Sequence, residues 1–209
     1  MKAYIVGGEK QYLNFLPEVE ITDNLREANI VVFTDGPIVS PSLYKEKKAP
    51  EVKEKCDINR DRADKAIYTK LKANQIAVGI GRGACFLSVM NGAKLIQHTF
   101  KKNTDCSYDV EVCFKETPFV FYAISDWVQA INLKGLTDYD LIGKSKNSSD
   151  YITDRETKQF MRFNGDPELV IFHKPNAPIS ICAQFHPEWL PQSSLSKLLK
   201  TIIYERANS

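Results

Sequence analysis

Val78-Gly79-Ile80-Gly81-Arg82-Gly83-Ala84-Cys85 is the stretch that decides the fold. An apolar, β-branched run enters a glycine-rich turn, and a helix-forming run follows at once. A buried strand that turns straight into a helix has the geometry of a nucleophile elbow. In an elbow the apex residue, here Gly81, takes backbone angles that most side chains resist, so a positive φ is expected there. Small residues two before and two after the apex let strand and helix approach closely, and Gly79 and Gly83 meet that demand. A helix N-terminus beneath the apex lowers a thiol pKa and offers N–H groups to a developing oxyanion. A tight strand-to-helix turn with no chemistry reads the same way, and this segment alone leaves both open.

Working outward, the elbow sits in a β-α-β-α rhythm. Strands are expected over residues 2–6, 29–33 and 75–80, the last two as short buried runs of the parallel-sheet kind. Helices are expected over residues 59–74, with Ala63, Ile67 and Leu71 on the apolar face, and over residues 82–91. The second half changes character. Tyr108, Val110, Val112 and Phe114 alternate as in a half-buried strand, and residues 118–123, 169–173 and 179–185 are further strands. Residues 193–206 close the chain as a helix with Leu195, Leu198, Leu199, Ile202 and Ile203 at helical spacing and Ser193 or Ser194 as N-cap. Residues 37–59, 101–107 and 144–157 are expected loops, and the first is long enough to be functional. The fold class is α/β: a flavodoxin-like three-layer sandwich with a central, mostly parallel sheet, in one domain over residues 1–209.

Composition supports a globular domain with a sizeable core, since 43% of the 209 residues are apolar. The 28 basic and 26 acidic side chains nearly cancel, giving a formal net charge of +2. That balance demands neither nucleic acid nor an anionic membrane. The mixed-sign run Lys45-Glu46-Lys47-Lys48 reads as a solvated loop. The first residues read as a strand and a turn rather than a secretory signal, and no apolar run reaches ~18 residues. The five cysteines form no C-x-x-C pair, and three scattered histidines show no ligand spacing. Free thiols in the cytoplasm, no metal and no cofactor are therefore expected.

Two other stretches carry chemistry. In Cys182-Ala183-Gln184-Phe185-His186-Pro187-Glu188-Trp189 a strand delivers a histidine to its end and a carboxylate follows two residues later. A base with its orienting acid is half of a Cys-His-Glu triad. The stretch Phe33-Thr34-Asp35-Gly36-Pro37-Ile38-Val39-Ser40-Pro41-Ser42-Leu43-Tyr44 begins at the C-terminal end of a parallel strand, where ligand sites of open α/β sheets collect.

The three stretches, in this order and spacing, resemble the class I glutamine amidotransferase family, and within it most closely the γ-glutamyl-γ-aminobutyrate hydrolase branch. Gly79-Ile80-Gly81-Arg82-Gly83 resembles that branch's G-I-C-R-G elbow, and Leu95-Ile96-Gln97 its L-I-Q. Val39-Ser40-Pro41-Ser42-Leu43-Tyr44 resembles its V-x-P-x-L-Y loop, Arg60-Asp61-Arg62-Ala63-Asp64 its R-D-x-x-E, and Gln184-Phe185-His186-Pro187-Glu188-Trp189 its Q-W-H-P-E-W block. Ser125 and Gln129-Ala130-Ile131 stand where the family has S-x-H-H-Q-A-I. The resemblance implies a catalytic site at Gly81, His186 and Glu188, with Gly81 at the nucleophile position. It implies oxyanion donors at Arg82 and Gly36, and substrate contacts at Gln129 and Ser125. The substrate implied is glutamine or a γ-glutamyl compound. A synthetase that accepts ammonia is an implied partner, and a homo-oligomer is compatible.

The departures fall at the site. The family's elbow cysteine is Gly81, its paired loop glycines are Asp35-Gly36, its loop aspartate is Ile38, and its His-His pair is Trp127-Val128. Glycine cannot form a γ-glutamyl thioester. Cys85 and Cys182 read as core residues rather than substitutes. Two functions stay open: a catalytically impaired, binding or regulatory member, or a working amide hydrolase whose natural cysteine was replaced by glycine here. On the sequence, restoring the thiol by Gly81→Cys is expected to give a reactive cysteine.

Overall fold

The computed structural model describes residues 1–7, 9–50, 52–97, 107–115, 117–124, 128–146, 150–154, 159–162 and 165–208. The strands are β1 (Lys2–Val6), β2 (Glu20–Ile21), β3 (Ile30–Phe33), β4 (Ile76–Ile80), β5 (Lys94–Ile96), β6 (Ser107–Phe114), β7 (Thr117–Ile124), β8 (Ala130–Asn132), β9 (Tyr139–Ser145), β10 (Asp150–Asp154), β11 (Gln159–Arg162), β12 (Pro167–Phe172) and β13 (Ile179–Ala183). The helices are α1 (Ile58–Tyr68), α2 (Arg82–Met90) and α3 (Ser194–Ala207).

Nine strands form the central sheet in the order β2-β1-β3-β4-β13-β12-β9-β6-β7. From β2 to β13 every pairing is parallel. From β13 to β7 every pairing is antiparallel. β3 and β4 read as unbroken apolar runs because both faces are covered. In β4 all five residues are buried, with Ile76, Val78 and Ile80 facing one core and Ala77 the other. The first core packs the sheet against Leu195, Leu199, Ile202 and Ile203 of α3 and against Leu13, Phe15 and Leu16. The second packs it against Ala84, Phe86 and Leu87 of α2. The result is the three-layer α/β sandwich expected from the sequence.

Local chemistry sets the helix starts. The Asp57 carboxylate accepts from the amides of Asn59 (3.0 Å) and Arg60 (3.1 Å) ahead of α1. The Ser193 hydroxyl accepts from the Ser196 amide at 3.1 Å ahead of α3.

Three expectations need correction. The helix of residues 59–74 stops at Tyr68, and its buried face is not the Ala63 face. Ala63 is exposed, Ile67 and Leu71 are half-buried, and the fully buried side chains are Asp61 and Asp64. The buried charges are matched by an arginine from α2, a partner that apolar periodicity cannot reveal. The expected loop over residues 144–157 contains the end of β9 and all of β10. The polar composition of that antiparallel hairpin hides it from a reading of apolar period. Of the loop over residues 101–107, residues 101–106 lie outside the described residues, and Ser107 opens β6.

Candidate active site

β3, β4 and β13 lie side by side and parallel, with Phe33 opposite Gly79 and Ala183 opposite Ile80. The three chemically informative stretches therefore leave the sheet at the same edge, the C-terminal one. Adjacency in the sheet, not in the chain, brings Asp35, Gly81 and His186 together.

The turn between β4 and α2 has the elbow shape. Gly81 has φ 56° and ψ −118° and serves as N-cap of α2. Its amide donates to the Ala183 carbonyl at 2.9 Å, which fixes the turn against β13. A Cβ on Gly79 would run into the Gly83 backbone, and one on Gly83 into the Phe33 carbonyl. Helix and sheet approach so closely that only glycine fits at either position.

The Arg82 side chain enters an ion cluster. Its guanidinium donates to Asp61 Oδ1 and Asp64 Oδ2, both at 2.5 Å, and all three side chains are 3% exposed or less. Asp64 also accepts from Arg60 Nε at 2.9 Å. Arg60 Nη2 reaches Thr34 Oγ1 (3.0 Å) and the Val6 carbonyl (3.3 Å). Asp61 accepts from the Ser40 amide at 2.9 Å. The cluster ties α1, α2, the ends of β1 and β3, and the long loop after β3 into one unit. Side-chain amides suture the same loop. Gln129 exchanges two hydrogen bonds of 2.9 Å with the Val39 backbone. Gln97 accepts from the Ala49 amide (2.7 Å) and donates to the Lys47 carbonyl (2.9 Å).

The expected base and its orienter are in contact. His186 Nδ1 and Glu188 Oε1 are 2.8 Å apart, with side chains 2% and 3% exposed. A carboxylate only accepts, so Nδ1 carries the proton of the neutral ring. The exposed Trp189 ring stacks on the imidazole at 3.8 Å and 9°, and the His186 amide donates to the Ile124 carbonyl at 3.0 Å. A Cβ on Gly81 would lie 3.1 Å from His186 Cε1. A side chain at residue 81 would thus meet an oriented imidazole.

At the expected nucleophile position, Gly81, the structure holds something the sequence did not foretell. The Asp35 carboxylate folds over the turn and accepts the Arg82 amide at 2.7 Å. A Cβ on Gly81 would lie 2.5 Å from Asp35 Oδ1 and 2.9 Å from its Cγ. The amide expected as an oxyanion donor is already engaged. The available signal was a carboxylate two residues past the end of β3, in a segment whose family resemblance implies glycine.

Around this point lies a cavity of about 430 Å³ whose lining includes Asp35, Gly36, Gly81, Cys85, Gln129 and His186. Gly36, the second expected oxyanion donor, borders it. Gln129 borders it too, but its side-chain amide is committed to Val39, so it shapes the wall. Ser125, expected at the substrate, lies outside the described residues, as does Trp127. Tyr12 was missed altogether. It is buried, and burial raises its phenol pKa, with the charges of Asp35 and Glu188 adding to the effect. Neither nearby thiol is activated. Burial pushes the Cys85 pKa up, and burial pushes Cys182 up to about 12. Among the described residues no group of three or more His, Cys, Asp or Glu is placed to hold a metal ion.

Comparison with known proteins adds three findings. The family model described as Peptidase C26 matches residues 8–120, more than half of the chain. The matched part contains Asp35 and Gly81 and ends before His186, so the base half rests on geometry. No curated protein sequence matches the chain significantly. Among solved structures, a Thermoplasma acidophilum protein provisionally assigned as one of the subunits of GMP synthase superposes with a TM-score of 0.63 at 17% identity, covering 100% of this chain and 94% of that one. A glutamine amidotransferase from Thermotoga maritima superposes with a TM-score of 0.54 at 14% identity, covering 100% of this chain and 89% of that one. At such identities the likeness is one of fold.

Proposed function

The chain belongs to the peptidase C26 family, a class I glutamine amidotransferase-like family, and on that premise we propose that it is a catalytically impaired member of the γ-glutamyl hydrolase type. It keeps a pocket for glutamine or a γ-glutamyl compound and binds rather than cleaves. The observation that carries the reading is the state of the nucleophile position. Residue 81 has no side chain, and the space a side chain would enter is filled by Asp35 Oδ1.

Acyl transfer by a Cys-His-Glu site needs a thiolate to attack the γ-carbonyl, a base to take its proton, and donors for the oxyanion. In this chain His186 is the base and Glu188 its orienter, but the attacking atom is missing. Removing a triad nucleophile costs several orders of magnitude in turnover. Cys85 does not supply the atom, because burial holds it as a thiol. The reading extends to partners: a binding protein of this fold would act on, or with, a synthetase that uses ammonia.

The experiment is ammonia release from glutamine and from γ-glutamyl amines by the purified chain, with thermal shift on the same compounds. No release above the buffer rate is expected, with a melting temperature that rises with ligand concentration. Turnover of ~1–10³ s⁻¹ would overturn the impairment. A flat melting temperature across the series would overturn the γ-glutamyl pocket.

A further inference from the structure

We propose that Asp35 is an internal occupant of the reaction centre, standing where both an acyl oxyanion and a residue-81 side chain would go, so that two positions rather than one close the elbow to acyl transfer. The inference rests on residue 81 being the nucleophile position.

Three observations converge on Asp35. First, Arg82 N–H is the first amide of a nine-residue helix, and Asp35 Oδ1 sits 2.7 Å from it. Oxyanion donors act at ~2.7–3.1 Å from the oxyanion itself. The carboxylate oxygen is therefore at the distance a tetrahedral intermediate's oxygen would take. A charged acceptor at a helix N-terminus is also favoured in its own right. Second, Oδ1 and Cγ of Asp35 lie within 2.9 Å of a residue-81 Cβ, nearer than the His186 ring at 3.1 Å. Any side chain at residue 81 must displace the carboxylate before it can meet the base. Third, Asp35 borders the cavity beside Gly36 and His186. Its charge consequently faces the space an incoming ligand would use.

The consequence corrects the simplest rescue. The helix N-terminus and a protonated His186 would lower the pKa of a cysteine at residue 81, whereas a carboxylate in contact raises it. Gly81→Cys alone creates a thiol that collides with Asp35 and is electrostatically opposed by it. Gly81→Cys with Asp35→Ala frees the Arg82 amide and removes the opposing charge. Gly81→Cys with Asp35→Asn keeps the bulk and removes only the charge, so it separates the two effects.

The test is the iodoacetamide rate at residue 81 between pH 6 and 9, read by peptide mass spectrometry, in the three variants. The Asp35→Ala double variant is expected to react at least ~10-fold faster at pH 7 than Gly81→Cys alone, with a midpoint below the ~8.5 of a free thiol. The Asp35→Asn double variant should fall between them. Equal rates in the single variant and the Asp35→Ala double variant would overturn the proposal. A second measurement covers variants that fail to fold. In the unsubstituted chain, the Arg82 amide is followed by ¹H–¹⁵N NMR as pH falls, and compared with Asp35→Asn. Its proton should move upfield on acidification and start upfield in the variant. An Arg82 amide indifferent to both would overturn the proposal. Ammonia release by the unsubstituted chain would sink the impairment reading, while the amide signal would still judge Asp35 by itself.

Discussion

Behind the β4–α2 turn, Arg82 is gripped by Asp61 and Asp64, and Gly79 and Gly83 leave no room for a methyl group. In front of the same turn, Gly81 offers no side chain, and a flexible carboxylate from the next strand fills the gap. The rear is built of contacts in which no partner can be changed alone. The front is built of a residue without a side chain and a carboxylate that can give way. The backbone of the elbow and the chemistry proposed for it therefore rest on different residues. Substitutions behind the turn should be costly to stability, and those in front much less so.

The largest effect is expected at Gly83. A Cβ there meets the Phe33 carbonyl of β3, which belongs to the sheet and cannot move as a side chain would. Gly83→Ala should destabilise by about 3 kcal/mol or more, in the range of severe overpacking. Arg82→Met should cost about 3–5 kcal/mol, since it leaves Asp61 buried without its cation and Asp64 with Arg60 alone. Urea unfolding monitored by circular dichroism measures both. A loss under ~1 kcal/mol for either would erase the contrast between rear and front.

Next come the loop sutures. Gln129→Ala would orphan the amide and carbonyl of Val39, both buried. The expected cost is about 1–3 kcal/mol. Gln97→Ala should cost less, because its partners lie nearer solvent. The comparison is sharpened by hydrogen exchange: amide protection at Val39 should fall in Gln129→Ala and stay unchanged in Gln97→Ala.

These sutures also mark where the sequence stopped being legible. The parallel half could be read because β3, β4 and β13 are short apolar runs followed by glycine or proline, and period and punctuation agree. The elbow at Gly81, with its positive φ, followed from the glycines at 79 and 83. A serine cap at 193 or 194 followed from residue type and position, and the structure makes it Ser193. The Asp61 and Asp64 burial did not follow, because a carboxylate reads as exposed until its cation is located, and Arg82 lies on another helix. β9 to β11 did not follow, because β9 mixes polar with apolar residues and the β10–β11 hairpin is largely polar in composition. Asp35 was visible as a departure from glycine, but its direction is set by the β3–β4 pairing. Only the fold brings its carboxylate onto the Arg82 amide.

In front of the turn the effects shrink. Gly81→Ala places a Cβ at φ 56°, where an L side chain costs about 1–3 kcal/mol. The Asp35 carboxylate gives way more readily than a backbone would, which should hold the loss toward the lower end. Thermal denaturation of Gly81→Ala and of the Gly81→Ala/Asp35→Ala pair tests this. The pair should be more stable than the single variant, because the second change removes the collision. A pair that is less stable by the full sum of two independent losses would show that the two residues do not touch.

The smallest effect is a titration, and it separates thiols that belong to the core from a thiol poised for chemistry. Cys182 is fully buried beside α2, and burial pushes its pKa up to about 12. Cys85 borders the cavity yet is raised by burial as well. For both, the folded pKa lies above the unfolded one. The stability each contributes is fully present below the unfolded pKa and is lost as pH rises toward the folded one. For Cys182 the window runs from about 8.5 to about 12. Between pH 8 and pH 9 the loss should be under about 1 kcal/mol per thiol, read as a lower urea midpoint. The slope should weaken in Cys182→Ala whatever that variant's absolute stability. Over the same range the exposed Cys113 should react with a disulfide reagent in the native chain, and Cys85 and Cys182 only after unfolding. Rapid native labelling of Cys85 would mean that the cavity wall opens to solvent and carries an accessible thiol. The front of the turn would then hold a candidate nucleophile after all.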